Sequence, residues 1–243
     1  MISVIVPVYN EAPNLAELVR RLLAVMRAGR YDFEVLFVND GSADGSGELL
    51  DQAASSEPTV RVIHFAANCG QSAAFFAGFE RARGDVLVTL DADLQNDPAD
   101  VPALLEALEG CDLAYGVRRE RRDPFLKRAA SRVANTVRNW VTREDVEDTA
   151  CSLKAFRRPC AEAIIRLRGM HRFFPTLARM AGFRTQPVFV KHSPRRAGET
   201  KYTIRNRLAG PFLDLLGVRW MQSRRLDYRI ARETPAHDTA RKS

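Results

Sequence analysis

Five short apolar runs, at residues 2–8, 33–38, 60–65, 86–90 and 113–116, alternate with segments of helical period at about 13–27, 46–55, 70–83 and 99–109. Runs this apolar, without a polar residue at every second place, belong to strands buried on both faces, and strands separated by helices pair in parallel. The rhythm predicts an α/β protein with a mostly parallel central sheet and flanking helices. In such sheets ligands lie beyond the carboxyl ends of the strands. The unusual residues of this chain collect there: Pro7-Val8-Tyr9-Asn10-Glu11 after the first run, Asn39-Asp40-Gly41-Ser42 after the second, and Asp91-Ala92-Asp93-Leu94-Gln95 after the fourth.

The chain has 243 residues, 46% of them hydrophobic, enough for one large domain or one domain with an appendage. It holds no run of about 18 apolar residues and opens directly on a strand-like segment, which predicts a cytoplasmic protein without signal peptide or transmembrane helix. Cys69, Cys111, Cys151 and Cys160 lack the spacing of a disulfide framework or zinc site. Charge is divided unevenly: residues 1–100 carry net −8 and residues 101–243 net +15. That bias suits an anionic partner, whether phosphate groups, an acidic membrane surface or nucleic acid.

Asp91 and Asp93 are two residues apart, so an extended chain points both carboxylates to one side. Hard oxygen donors of this kind suit Mg2+ or Mn2+ holding a diphosphate, although an Asp-x-Asp is also a common solvated turn. Tyr9 is placed to lie against a base, Glu11 and Asp40 to accept hydrogen bonds from base or ribose, and Gly41 to let the backbone pass close to a ligand. Taken alone, the stretch 40–46 reads sooner as a plain turn with an N-cap for the next helix. Residues 70–78 carry small side chains at close spacing, read as a helix packed on the sheet without chemistry.

Taken in order and spacing, Pro7-Val-Tyr9-Asn10-Glu11, Asn39-Asp40-Gly41-Ser42 and Asp91-Ala-Asp93 resemble family 2 glycosyltransferases of the type A fold. Asp93-Leu-Gln95, Gly116-Val-Arg118, Asp148-Thr-Ala-Cys151 and Arg195-Arg-Ala-Gly-Glu-Thr-Lys201-Tyr202 are further similar to the polyprenyl-phosphate branch, which includes dolichyl-phosphate mannose synthases. The resemblance covers residues 2 to about 204 and implies a nucleotide-diphospho-sugar transferase fold. It implies that Pro7, Tyr9, Asn10, Glu11, Val38, Asp40, Gly41, Asp91, Ala92 and Arg118 bind the nucleotide sugar. Asp91, Asp93 and Gln95 are implied to bind Mg2+ or Mn2+, and Arg195 and Lys201 to face the acceptor phosphate. Asp93 and Asp148 are the implied catalytic residues, Asp148 where a general base would stand. The branch commonly has Gly after Cys151 and Ser before Lys201, where this chain has Ser152 and Thr200.

Many relatives carry C-terminal membrane helices, which this chain is expected to lack. Residues 205–230 instead place apolar side chains between arginines, an amphipathic helix read either as lying in a membrane interface or as docked on the domain. Basic stripes at 124–142, with Lys127, Arg128, Arg132 and Arg138, and at 171–181 add to a shared anionic-binding surface. The expected organisation is a catalytic domain at 1–204, the helical extension at 205–230 and a flexible polar tail at 231–243. The expected activity is inverting transfer of a sugar from a UDP- or GDP-sugar to a polyprenyl phosphate at the inner face of the cytoplasmic membrane. Partners would be the nucleotide sugar, the lipid, an anionic membrane surface and a second copy, with no nucleic acid. A transferase acting on a saccharide or other soluble hydroxyl, and a basic nucleic-acid-binding module, are the alternatives.

Overall fold

The computed structural model describes residues 1–118, 136–143, 151–191, 193, 204–226 and 231–232. Strand β1 (Ile2–Val8) lies between β2 (Phe33–Asn39) and β4 (Val86–Thr89), and β3 (Val60–His64) pairs outside β2, all four in parallel. Helices α1 (Ala12–Ala28), α2 (Ser46–Ser56) and α3 (Gln71–Arg81) make the crossovers, and α4 (Val101–Ala107) leads to β5 (Leu113–Arg118). Strand β6 (Lys154–Arg157) then runs antiparallel between β4 and β5, and β7 (Thr185–Val190) pairs parallel outside β5. The seven-stranded order is β3-β2-β1-β4-β6-β5-β7, with β6 alone reversed.

The apolar runs are explained by burial on both faces. Val4, Val6 and Val8 face one cluster with Leu15, Leu18 and Met26 of α1, whereas Ile5 faces the other with Phe75 and Phe79 of α3. That second face also receives α6 (Arg158–Ala163), α7 (Phe174–Met180) and α8 (Ile204–Ser223). At its centre Phe79, Phe156 and Phe174 meet with ring centroids 5.4–5.7 Å apart, two of the three pairs edge-to-face. Gly78 is required here, since a Cβ on it would stand 2.3 Å from Ile5 Cγ2.

Three expectations change. Strands β6 and β7 were not foreseen: β6 is four residues with a basic residue at each end, and β7 is an edge strand largely open to solvent. Arg138 does not belong to an exposed anion-binding stripe; it is buried in α5 (residues 136–142) and donates to Asn139 Oδ1 at 2.9 Å. Helix α8 is not simply amphipathic, because it buries Leu215 and Val218 in the second cluster and also exposes Phe212, Leu213, Leu216 and Trp220. Lys127, Arg128 and Arg132 lie outside the described residues.

Candidate active site

The strand-end motifs meet at the carboxyl edge of the sheet, held by bonds between loops. Asn10, at φ +52, donates its N–H to Ser42 Oγ (2.9 Å) and accepts Ala43 N–H on Oδ1 (2.8 Å). Ser46 Oγ accepts Glu11 N–H (3.1 Å), and Asp44 accepts Ala12 N–H (3.0 Å). The stretch 40–46 therefore ties the second strand-end loop to the first, the turn reading realised as a clamp. Glu11 is buried and its Oε2 accepts from Asn14 Nδ2 (2.7 Å), while Tyr9 beside it is 39% exposed.

Asp40 departs from its expected role. Its Oδ1 accepts Cys69 N–H (2.6 Å), and its Oδ2 accepts Gly70 N–H (2.9 Å) and Asn68 Nδ2 (3.0 Å). About three of a carboxylate's roughly four acceptor positions are thus used in anchoring the loop that enters α3. Gly41, at φ +68, is crowded by that same loop: a Cβ there would lie 2.6 Å from the Ala67 carbonyl carbon. Pro7 and Val38 are register partners in the β1–β2 ladder, and the Val38 side chain packs in the core, leaving only its backbone for a nucleoside.

Asp91 and Asp93 follow β4 in a tight turn in which Leu94 takes φ +59 while its side chain is buried. A left-handed leucine costs about 1–2 kcal/mol, so packing holds the turn in a shape the chain would not choose alone. Gln95 N–H closes it on Asp93 Oδ1 (3.1 Å), and Gln95 carbonyl accepts Ser193 N–H (2.9 Å). Ala92 is buried beneath. Asp91 Oδ1 accepts from Gln71 Nε2 (2.6 Å), and Asp91 N–H donates to Ser152 Oγ (3.1 Å), which also accepts from Asn96 Nδ2 (2.8 Å). Burial and the neighbouring Asp93 push the Asp91 carboxyl up to about 6, against the opposing pull of Lys154 and Arg118. Lys154 is buried at the start of β6, donates to the Cys151 carbonyl and stands 5.9 Å from the Phe174 ring centre.

Two crowded carboxylates of this kind fit a hard cation, which would relieve the repulsion that raises Asp91. Among the described residues no three His, Cys, Asp or Glu side chains converge. Asp148, Arg195 and Lys201 lie outside the described residues.

Sequence reasoning passed over Gln71, Ser72, Ser152, Lys154 and His171. Ser152 and Lys154 left a trace, one as a departure from a motif and the other as a lone charge in an apolar stretch. Ser72 and His171 left none, being far apart in the chain. Ser72 Oγ accepts Gly169 N–H (3.0 Å) and shares a hydrogen bond with His171 Nδ1 (2.7 Å). Burial holds His171 down at about 3, a neutral imidazole. Gln71, Ser72 and His171 line a cavity of about 830 Å3 at the start of α3, next to Asp91.

This architecture is the type A glycosyltransferase fold. Glucosyl-3-phosphoglycerate synthase from Mycobacterium tuberculosis, solved with Mn2+, UDP and phosphoglyceric acid, superposes with a TM-score of 0.69 at 18% identity, over 93% of this chain and 80% of that one. A mannosyltransferase from Pyrobaculum calidifontis, solved with GDP-mannose and Mn2+, gives 0.64 at 20% identity, over 93% and 65%.

Residues 3–165 match the model of glycosyl transferase family 2, and the chain belongs to that family. The undecaprenyl-phosphate 4-deoxy-4-formamido-L-arabinose transferase of Pseudomonas fluorescens (strain SBW25) is 40% identical over 217 residues, 88% of this chain. The chain spans 63% of that relative's length.

Proposed function

We propose that this protein transfers a sugar, with inversion, from a UDP- or GDP-sugar to a polyprenyl phosphate at the cytoplasmic face of a membrane. The observation that carries the reading is the crowded Asp91–Asp93 pair at the end of β4, flanked by Arg118 and Lys154, in a chain 40% identical to a named undecaprenyl-phosphate transferase. Tyr9, Asn10 and Glu11 would hold the nucleoside, and Asp40 keeps the facing loop in place. Asp91 and Asp93, with Gln95 in the same turn, would hold Mg2+ or Mn2+, which supplies Lewis-acid neutralisation of the leaving diphosphate.

In the transfer, an oxygen of the acceptor phosphate bonds to the anomeric carbon while the bond from that carbon to the diphosphate breaks. The electron pair departs on the nucleoside diphosphate, towards the positive charge of Arg118 and Lys154, which is preorganised for it. A phosphate monoester is already ionised at neutral pH, so no proton need be removed. Asp148 would then orient the acceptor, with Arg195 and Lys201 on its phosphate, bringing two anions to reacting distance.

The test is incubation with undecaprenyl or dolichyl phosphate, Mn2+ and a panel of labelled nucleotide sugars. Label in a mild-acid-labile lipid supports the reading and names the sugar; nucleotide release with label only in water-soluble product overturns the lipid acceptor in favour of a soluble one.

A further inference from the structure

The cavity at the start of α3 is not used by any of the motifs above, and its walls have an unusual make-up. Among the described residues lining it, three are arginines, Arg166, Arg168 and Arg172, against one carboxylate, Asp214. Arg166 pairs with Glu80 outside the cavity, and Arg172 stands 3.8 Å from Asp214, a distance that leaves its hydrogen-bonding capacity largely free. Arg168 is exposed and makes no ion pair among the described residues. Such a concentration of guanidinium groups matches a phosphate better than any neutral ligand.

The rim is apolar and open. Leu167, between two of the arginines, is 48% exposed, and Ile165 beside it is 45% exposed. On the other wall α8 contributes Gly210 and Asp214 to the cavity, and Leu213, Leu216 and Trp220, at helical spacing i, i+3 and i+7, form an exposed stripe along the adjoining face. Leu215 and Val218 fix the opposite side of the helix in the core, so the stripe is held outward by packing. A cationic floor under an apolar rim is complementary to a molecule with a phosphate at the end of a hydrocarbon chain. The floor also reaches the reaction centre, because Gln71 lines the cavity and bonds Asp91.

Resting on the reading of the reaction above, we propose that this cavity receives the acceptor, its phosphate on Arg168 and Arg172 and its polyprenyl chain leaving past Leu167 and over Leu213 and Leu216. His171, held by Ser72, adds a polar ring to the wall. The Arg166–Arg172 segment would set the entry and depth of the phosphate.

The experiment compares the intact protein with its Arg168→Gln/Arg172→Gln variant in mixed micelles of undecaprenyl phosphate, with the labelled nucleotide sugar and Mn2+. Loss of two charge-assisted contacts is expected to raise the KM for the lipid phosphate on the order of tenfold or more, with affinity for the nucleoside diphosphate and Mn2+, read by calorimetry, within about twofold of the unchanged protein. An unchanged KM overturns the proposal, as does an equal loss of nucleotide affinity, which would make the cavity a donor site. If the double variant melts early, Arg168→Gln alone, at an exposed position without an ion pair, carries the same comparison. Failure of the unchanged protein to label any lipid overturns the reaction itself and with it this site, an outcome distinct from lipid labelling that ignores the arginines.

Discussion

Ser152 shows how much one hydroxyl organises. It receives Asp91 N–H and the Asn96 amide, and its carbonyl receives Thr89 Oγ1 at 2.6 Å, so the carboxylate turn is stitched to the start of β6 from below. Ser152→Gly, the residue common in the resembling branch, leaves buried donors without partners and should cost about 1–3 kcal/mol, read as a lowered Tm, with weaker Mn2+ binding by titration. Asp93→Ala should abolish both Mn2+ binding and transfer, whereas Asp148→Asn should keep most of the transfer if the acceptor is a phosphate; a collapse of the Asp148 variant with a normal KM would point to a hydroxyl acceptor. Asp91 sets the pH response. Its carboxyl sits at about 6 in the fold against an ordinary 3.8, so ionisation opposes folding, a cost absent below about 4 and complete above about 6. Cation binding runs the other way, since proton and metal compete: Mn2+ affinity should fall as pH drops through 6, and Asp91→Asn should remove much of that dependence, measured by calorimetry at pH 5 and 7.5.

At the scale of elements, the start of α3 is decided by the loop before it. Asp40 accepts from three groups in residues 68–70, and Gly41 lets the two loops touch. Gly41→Ala combines a positive φ with a clash against backbone that has no rotamer to move away, and should destabilise the protein by about 2–4 kcal/mol, read in a urea melt. Strands β1 to β5 and helices α1 to α4 were legible because each buries a regular face, so composition and period agree with the final state. Strands β6 and β7 were not, because β6 owes its existence to neighbours on both sides and β7 to one neighbour only. Their residues, Lys154-Ala-Phe-Arg157 and Thr185-Gln-Pro-Val-Phe-Val190, have no apolar period of their own.

At the scale of the whole molecule, the cationic half and the exposed apolar side chains define one kind of surface. The protein has two tryptophans, Trp140 on α5 and Trp220 on α8, and they are 81% and 63% exposed. No helix among the described residues is long and apolar enough to cross a membrane. If this surface rests on a bilayer, indole emission should shift to the blue on adding vesicles containing phosphatidylglycerol, less so at high salt, and Trp220→Ser should remove part of the shift. Vesicles that leave the emission unchanged would exclude these helices as the contact.

The sequence by itself determined the layered α/β architecture and that a pair of carboxylates ends a buried strand, because burial on both faces of a strand and a charged pair closing an apolar run are written locally. Only the tertiary structure decided that Asp40 serves a loop, that Gln71 and Ser152 position Asp91, and that an arginine-lined cavity opens beside the carboxylate pair between α3 and α8. Those outcomes depend on side chains brought together from segments up to about a hundred and forty residues apart, and spacing along a chain carries no record of such meetings.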